Sequence, residues 1–240
     1  MNLELRFSFE KEVIPIDYRS FMLSFIKHCI EVYDEEIYKE MYHNDDPIMK
    51  DFTFSTYLPQ AIFNKDSIVL NKKMMIINIS NYNMRTALIM YNAFINYYRK
   101  KEVYKIKNNS FKLVNLYMRK TNDIREDNII IEMLSPLIAR HHVKGQKDIY
   151  AIAGDKDFEK IVKENISSVL TKYKLNFNLE TLKVIPLKNK IVNIKLYNSI
   201  RPGSLGKFQL KGDSELLNFL YKSGIGSLRS SGFGHFKIIG

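Results

Sequence analysis

The sequence predicts an α+β protein built from two tandem ferredoxin-like (RRM-like) domains, the second of which carries a C-terminal glycine-rich loop. Two observations predict the domains: the first half has the element order β-α-β-β-α-β, and this order partly repeats after a polar stretch at residues 121–128. The third observation is that eight of the ten glycines fall within residues 203–240. We therefore expect domains at 1–123 and 124–240.

The first half begins with an alternating pattern that predicts a half-buried strand at residues 2–10. Asp17 is a candidate N-cap for a helix that ends near residue 32, with an apolar stripe that includes Phe25 and Cys29. The remaining predictions are a short helix at 34–42, strands at 52–58 and 73–80, a long helix at 85–101, and one or two strands within 104–120. Together these elements predict one ferredoxin-like domain.

The second half follows the polar stretch, which is the best linker candidate. We expect a strand at 129–134, a helix at 157–173, a hairpin of strands 182–187 and 191–197, a helix at 213–222 and a closing strand at 235–239. The two halves share an order of elements and no repeat at the residue level. Open sheet faces and clefts between two such domains are common RNA-binding surfaces.

The composition favours a polyanionic partner. The net charge of +11 and the pI of about 9.4 suit nucleic acid, although an AT-rich genome also enriches lysine. Cys29 is the single cysteine, which excludes a disulfide framework. Neither a membrane-length apolar run nor a signal peptide is present, so we expect a cytoplasmic protein without a membrane partner.

Residues 224–234 contain two Gly-x-Gly pairs. The members expected to bind RNA are Gly224, Gly226, Ser227, Arg229, Ser230, Ser231, Gly232 and Gly234. Glycines let backbone N–H groups form a concavity for anions, and Arg229 adds a forked phosphate donor. The spacing fits neither a P-loop nor a dinucleotide fingerprint, because Phe233 and Arg229 occupy positions that those motifs reserve for other residues. The alternative is a surface turn after a helix.

At this point the chain resembles a known family. Leu-Lys-Gly-Asp-Ser-Glu-Leu-Leu at 210–217, leading into Gly-Ile-Gly and Gly-Phe-Gly, is similar to the C-terminal signature of the CRISPR-associated endoribonucleases that cut repeat transcripts into guide RNAs. Segments 129–137 and 14–19 also match, so the resemblance covers most of the chain. It implies tandem ferredoxin-like domains and CRISPR repeat RNA as the partner. It leaves open participation in a CRISPR effector complex and a homodimer.

The residues also suggest the type of chemistry. The five histidines form no spaced set of metal ligands, so we expect neither a metal nor another cofactor. RNA carries its own nucleophile, the 2′-hydroxyl next to the scissile phosphate. A base, a cation and an acid are then sufficient for cleavage to a 2′,3′-cyclic phosphate and a 5′-hydroxyl.

The resemblance assigns catalytic roles to His43 and Lys50. The family's occasional third member, a tyrosine in the first helix, has no clean match, because Lys27 or His28 stands there. His28 is the runner-up for the histidine, since some members place theirs in this helix. From the residues alone, a solvated loop position is the usual role of a lone histidine such as His43. His28 borders the apolar stripe of the first helix, which favours a half-buried structural role.

Three further histidines have weaker signals. His141 and His142 follow Arg140 and either face RNA or have no function, whereas His235 is expected to support the loop and the last strand. The overall prediction is a metal-independent endoribonuclease for CRISPR repeat RNA. The alternatives are a non-cleaving guide-RNA-binding subunit and a general ferredoxin-like RNA-binding or assembly protein. If the loop binds RNA, replacing Gly226 or Gly232 by valine is expected to weaken binding without unfolding the protein.

Overall fold

A computed structural model of the chain describes residues 2–42, 50–121, 123–197 and 199–240. The first half contains β1 (Asn2–Phe9), β2 (Val13–Pro15), α1 (Tyr18–Tyr33), α2 (Glu35–Tyr42), β3 (Phe52–Tyr57), β4 (Ile62–Phe63), β5 (Ser67–Val69), β6 (Met74–Asn81), α3 (Met84–Lys100), β7 (Tyr104–Ile106) and β8 (Asn109–Arg119). The main sheet has the order β3-β6-β1-β8-β7. Its first four strands, with α1 and α3, form the predicted ferredoxin-like arrangement.

The sequence signals of this domain correspond to visible contacts. Asp17 caps α1, since its carboxylate accepts hydrogen bonds from the Ser20 backbone N–H at 3.4 Å and from the Ser20 hydroxyl at 2.6 Å. Phe25, on the buried stripe of α1, packs edge-on against Phe7 and Phe111, with ring centroids 5.3 Å apart in each pair. The predicted cap and stripe are confirmed. The small β2-β5-β4 sheet was not predicted, because its strands have only two or three residues each.

The second half contains β9 (Asn128–Met133), β10 (Ala139–His141), β11 (Ile149–Ala151), α4 (Phe158–Tyr173), β12 (Lys183–Leu196), β13 (Ser199–Lys211), α5 (Ser214–Ser223), a 3-10 turn (Arg229–Ser231) and β14 (Phe236–Ile238). Its sheet has the order β12-β13-β9-β14, which is again ferredoxin-like. A second hydrophobic core packs α4 and α5 against the sheet through buried residues such as Phe158, Phe208 and Leu217. The predicted boundary at residue 123 falls in the connection between β8 and β9.

The hairpin predicted from strands 182–187 and 191–197 is wrong. Both segments belong to the single strand β12, which bulges between Pro186 and Lys188 and pairs along its length with β13. Gly206 lies across from the bulge with a φ of +125°, where an added Cβ would collide with the Lys188 carbonyl. The strand β13 was not predicted, because it contains Pro202, Gly203 and Gly206, and proline and glycine argue against a strand.

The glycine-rich segment, residues 224–234, contacts both domains. The Thr53 hydroxyl on β3 donates to the Phe233 carbonyl at 2.6 Å, and the Arg19 Nε on α1 donates to the Gly232 carbonyl at 3.3 Å. The tip of the β12–β13 hairpin adds a bond from the Tyr197 N–H to the Asp17 carboxylate at 3.0 Å. These contacts determine where the C-terminal loop lies relative to the first sheet. Among the described residues, no helix has both the length and the apolar character to span a membrane.

Candidate functional site

An open cleft with a volume of about 440 Å³ is lined mainly by the second domain, including the glycine-rich segment, and by one residue of the first domain. Lys50, just before β3, contributes from the first domain. Residues 226–230 of the glycine-rich segment, residues 140–142 of the β10 hairpin and four residues on one side of α4 complete the lining. The cleft therefore brings together one predicted catalytic residue and half of the loop that was predicted to bind RNA.

A cluster of cations lies at the Lys50 end of the cleft. The Lys50 Nζ is 4.5 Å from the centre of the Tyr42 ring, and the Lys27 Nζ is 5.1 Å from the same ring. Burial, and to a smaller extent the charges of Lys27 and Lys172, lower the pKa of Lys50. Burial raises the pKa of Tyr42, which keeps its hydroxyl protonated. Concentrated positive charge beside a neutral O–H donor is suited to binding a phosphate.

The two candidate catalytic residues in α1, Lys27 and His28, lie in different surroundings. Lys27 shares the Tyr42 ring with Lys50, whereas His28 lies against Tyr97 and Tyr104, with ring centroids 6.0 and 5.5 Å away. Tyr104 belongs to β7, at the sheet edge opposite the β3 edge that follows Lys50. The half-buried structural environment expected for His28 is present.

His43 itself lies outside the described residues, in the 43–49 gap that separates Tyr42 from Lys50. Tyr42 and Lys50, the described residues that flank this gap, contact each other in the cation cluster. The assignment of His43 therefore stays a prediction. Tyr42 was not singled out from the sequence, because its position at the end of α2 carries no motif that distinguishes it from the other fourteen tyrosines.

The glycine-rich segment is more tightly packed than expected. Gly232 has a φ of +85°, and an added Cβ would lie 2.6 Å from the Phe54 ring. An added Cβ at Gly226 would lie 2.6 Å from the Ile138 carbonyl oxygen. Gly224 and Gly234 are buried as well. The expectation that valine at Gly226 or Gly232 leaves the fold intact conflicts with these contacts, because β3 and the chain before β10 occupy the space.

The backbone of the segment is also largely used within the protein. Within it, the N–H groups of residues 224, 225, 227 and 231–234 all donate to backbone carbonyls. The Ser227 N–H, for example, donates to the Ile138 carbonyl at 2.8 Å. This differs from the expected open concavity of free N–H groups. Ser227 and Ser230 are half-buried and line the cleft, so they keep an accessible side, and Ser231 is half-buried in the turn.

Arg229 is not the exposed phosphate donor that its place in the loop suggested. It is 5% exposed, and its NH1 group donates to the Ser223 carbonyl at 2.7 Å. Asp51 and Tyr173 lie near the guanidinium, and burial lowers the pKa of Arg229. Because Asp51 precedes β3 and Tyr173 ends α4, Arg229 connects the two domains beneath the cleft. Serine and glycine neighbours in the sequence gave no sign of this burial.

His235 has the supporting role expected from the sequence. It is 4% exposed, its backbone N–H donates to the Ser135 hydroxyl at 2.9 Å, and its Nδ1 shares a hydrogen bond with the Ser55 hydroxyl at 2.8 Å. Burial lowers its pKa to about 4. His235 is therefore a neutral interdomain contact at physiological pH.

Two histidine–carboxylate pairs line the far end of the cleft. His141 Nδ1 lies 2.8 Å from the Glu164 carboxylate on α4, and His142 Nδ1 lies 2.6 Å from the Asp148 carboxylate. Arg140 also contacts Asp148, at 3.2 Å. The sequence gave no sign of the pairing between His141 and Glu164, because it depends on how β10 packs on α4. Across the described ranges, no three His, Cys, Asp or Glu residues are grouped so that they could hold a metal ion.

Comparisons with known proteins agree with this architecture. The C-terminal domain model of the CRISPR-associated protein Cas6 matches residues 118–238. The structure reported for a Cas6-related gene from Pyrococcus furiosus superposes with a TM-score of 0.85 at 21% identity, covering 100% of this chain and 98% of that one. A RAMP protein described as binding different RNA substrates gives 0.84 at 21% identity, with 100% of both chains covered.

A Cas6 product complex also superposes, with a TM-score of 0.72 at 13% identity and 99% of each chain covered. At these identities the structural matches establish the fold. No curated protein sequence matches the chain. The family model, in contrast, spans half of the chain and includes the whole glycine-rich segment. Together with the tandem ferredoxin-like sheets, this match confirms the resemblance: the chain belongs to the Cas6 family of CRISPR-associated proteins.

Proposed function

We propose that this chain is a metal-independent endoribonuclease that cleaves CRISPR repeat transcripts into guide RNAs in the cytoplasm. The observation that carries the proposal is the cluster of Lys27 and Lys50 around the Tyr42 ring, at the mouth of the interdomain cleft. It lies where the chain enters and leaves the 43–49 segment that contains His43. A phosphate bound there has cations beside it and a histidine adjacent in sequence.

In this proposal His43 removes the proton from the 2′-hydroxyl, and the 2′-oxygen attacks the neighbouring phosphorus. The bond to the 5′-oxygen breaks, that oxygen takes a proton from solvent water, and the products are a 2′,3′-cyclic phosphate and a 5′-hydroxyl. Lys50 offsets the charge that builds on the phosphorane, and its half-buried position strengthens this effect relative to a fully hydrated lysine. The nucleophile comes from the RNA, so the mechanism requires no metal-activated water.

The glycine-rich segment contributes in two ways. Gly226, Ser227 and Ser230 line the cleft and contact RNA, while Gly224, Gly232, Gly234 and Ser231 shape the wall behind them. Arg229 contributes indirectly: its buried guanidinium lies near residues of both domains and so fixes how they pack against each other. RNA affinity therefore depends on a wall built by packing more than on free backbone N–H groups.

The second candidate is a guide-RNA-binding subunit that does not cut. It is favoured by the similarity to a RAMP protein whose description mentions RNA binding alone. Both candidates bind RNA in the cleft, and they differ in whether the Lys50 cluster acts on a scissile phosphate.

A single-turnover assay on the cognate repeat RNA in EDTA separates the two. We expect cleavage at one site, and a single 2′-deoxy nucleotide on the 5′ side of that site should abolish it while leaving affinity nearly unchanged. Cleavage of the deoxy substrate, or a strict need for Mg²⁺, refutes the mechanism. Tight binding without any cleavage supports the non-cleaving subunit instead.

A further inference from the structure

The cleft has two chemically different ends, and α4 runs between them. Glu164 lies at the end with the histidine pairs, Ser168 lines the middle, and Lys172 lies near Lys50 at the cationic end. Eight residues of α-helix at about 1.5 Å each separate Glu164 from Lys172 by about 12 Å. At about 3.4 Å per stacked nucleotide, this corresponds to three or four nucleotides of RNA.

The histidine end is rigidly built. Asn165 on α4 accepts from the Arg140 backbone N–H at 3.1 Å and donates to the Arg140 carbonyl at 2.6 Å, which fastens β10 to the helix. Asp148 is held by Arg140 and by the Tyr150 hydroxyl at 3.3 Å. Groups supported in this way by a strand, a helix and secondary hydrogen bonds are preorganised for recognition.

The carboxylates determine which atoms the imidazoles offer. Each Nδ1 faces a carboxylate, so in the neutral ring the proton sits on Nδ1 and Nε2 is left as an acceptor. The carboxylates here outnumber the one guanidinium, since Arg140, Asp148 and Glu164 together carry a formal charge of −1. A phosphate, which offers acceptors and negative charge, is a poor match for this surface. The amino group of a nucleobase is a good match.

We propose that His141 and His142 form a subsite that binds the amino-bearing edge of an unpaired nucleobase, within about four nucleotides of the scissile phosphate, and so determine part of the sequence preference. The proposal rests on the proposed function, because it requires repeat RNA to lie in the cleft with a phosphate at Lys50. Proteins that recognise single-stranded RNA form hydrogen bonds with the edges of splayed bases in the same manner.

The test uses the full chain and an uncut repeat RNA that carries the 2′-deoxy nucleotide at the cleavage site. Each guanosine is replaced in turn by inosine, each adenosine by purine riboside and each cytidine by pyrimidin-2-one riboside, which removes one amino group. We expect one position at which the loss weakens binding by wild-type protein about 5- to 150-fold. His141→Ala should bind the two RNAs equally at that position. Ser167→Ala, exposed on the same helix but outside the cleft lining, should keep the discrimination.

The remaining outcomes overturn the proposal. If His141→Ala weakens binding to every RNA alike and lowers the salt slope by about 0.7, the histidine contacts a phosphate. If cleavage slows with unchanged affinity and discrimination, its role is in proton transfer, and if nothing changes the pair is structural. Should His141→Ala fail to fold, Glu164→Gln replaces it, because the imidazole then loses its carboxylate. Failure of the wild type to cleave refutes the proposed function alone, since this assay measures binding to uncut RNA.

Discussion

His235 Nδ1 and the Ser55 hydroxyl lie 2.8 Å apart, and both residues are buried between the two domains. The contact links the approach to β14 with the middle of β3. Burial lowers the pKa of His235 to about 4, so protonation places an unhydrated charge at the interface. Acid is therefore expected to loosen the interface that forms the cleft.

The first prediction concerns this acid sensitivity. The folded-state pKa of His235 lies below the unfolded value of about 6.5, so the unfolded chain binds the proton more tightly. The stabilisation is complete above pH 6.5 and is lost as pH falls toward 4. At pH 5 we expect His235 to account for about 2 kcal/mol of the lost unfolding free energy. Urea titrations of wild type and His235→Gln at pH 7 and pH 5 measure this, and an equal acid loss in both proteins contradicts it.

The second prediction concerns the packing of the glycine-rich segment. Gly232 and Gly145 have nearly the same positive φ, +85° and +83°, but an added Cβ meets the Phe54 ring at Gly232 and open space at Gly145. Gly145→Ala should therefore cost about 1 kcal/mol of backbone strain, and Gly232→Ala about 2–4 kcal/mol because overpacking is added. Chemical denaturation of both variants measures the difference. Equal losses would mean that the Phe54 ring moves aside freely.

The third prediction concerns Arg229. Its replacement by alanine removes the buried bond to the Ser223 carbonyl and the positive charge near Asp51, so stability should fall by about 1–3 kcal/mol. Replacing the exposed Arg99 should have little effect on stability. The salt dependence of RNA affinity should be unchanged in Arg229→Ala that remains folded, whereas Lys50→Ala should lower the slope by about 0.7. A flatter salt dependence in folded Arg229→Ala would mean that the guanidinium reaches RNA.

The fourth prediction separates the two candidate catalytic histidines. His43→Ala should reduce the single-turnover cleavage rate by about 10²–10⁴-fold, the usual effect of losing a positioned acid or base, with little change in melting temperature. His28→Ala should lower the melting temperature more than the rate, because it removes ring contacts with Tyr97 and Tyr104. An inactive but folded His28→Ala, together with a normally cutting His43→Ala, would move the assignment to α1.

The order of elements was predictable because its signals are local. Alternating apolar residues predicted β1, and the capping carboxylate of Asp17 predicted the start of α1. The strand β13 was not predictable in this way. Glycine is favoured at Gly203 by a tertiary contact, since an added Cβ would lie 2.7 Å from the Ile138 side chain. Local propensity gives no information about such a contact.

The site was predictable only in part, for a similar reason. Lys50 was identified through a family motif, but its proximity to Lys27 depends on the Tyr42 ring between them. Arg229 looked exposed among glycines and serines, and its burial depends on residues distant in sequence, such as Asp51 and Tyr173, that lie near its guanidinium. The partner of His141 is 23 residues away in the sequence, so the pairing was invisible before the fold was known.

The bonds from Thr53 to Phe233 and from Arg19 to Gly232 span 180 and 213 residues of chain. Contacts of such separation form after local structure, since closing the intervening loop costs entropy before any contact repays it. During synthesis the first domain is complete long before residues 226–230 leave the ribosome, and these residues form one wall of the cleft. A nascent chain thus has no cleft in which to hold RNA, and any activity begins only after the glycine-rich segment has docked on β3.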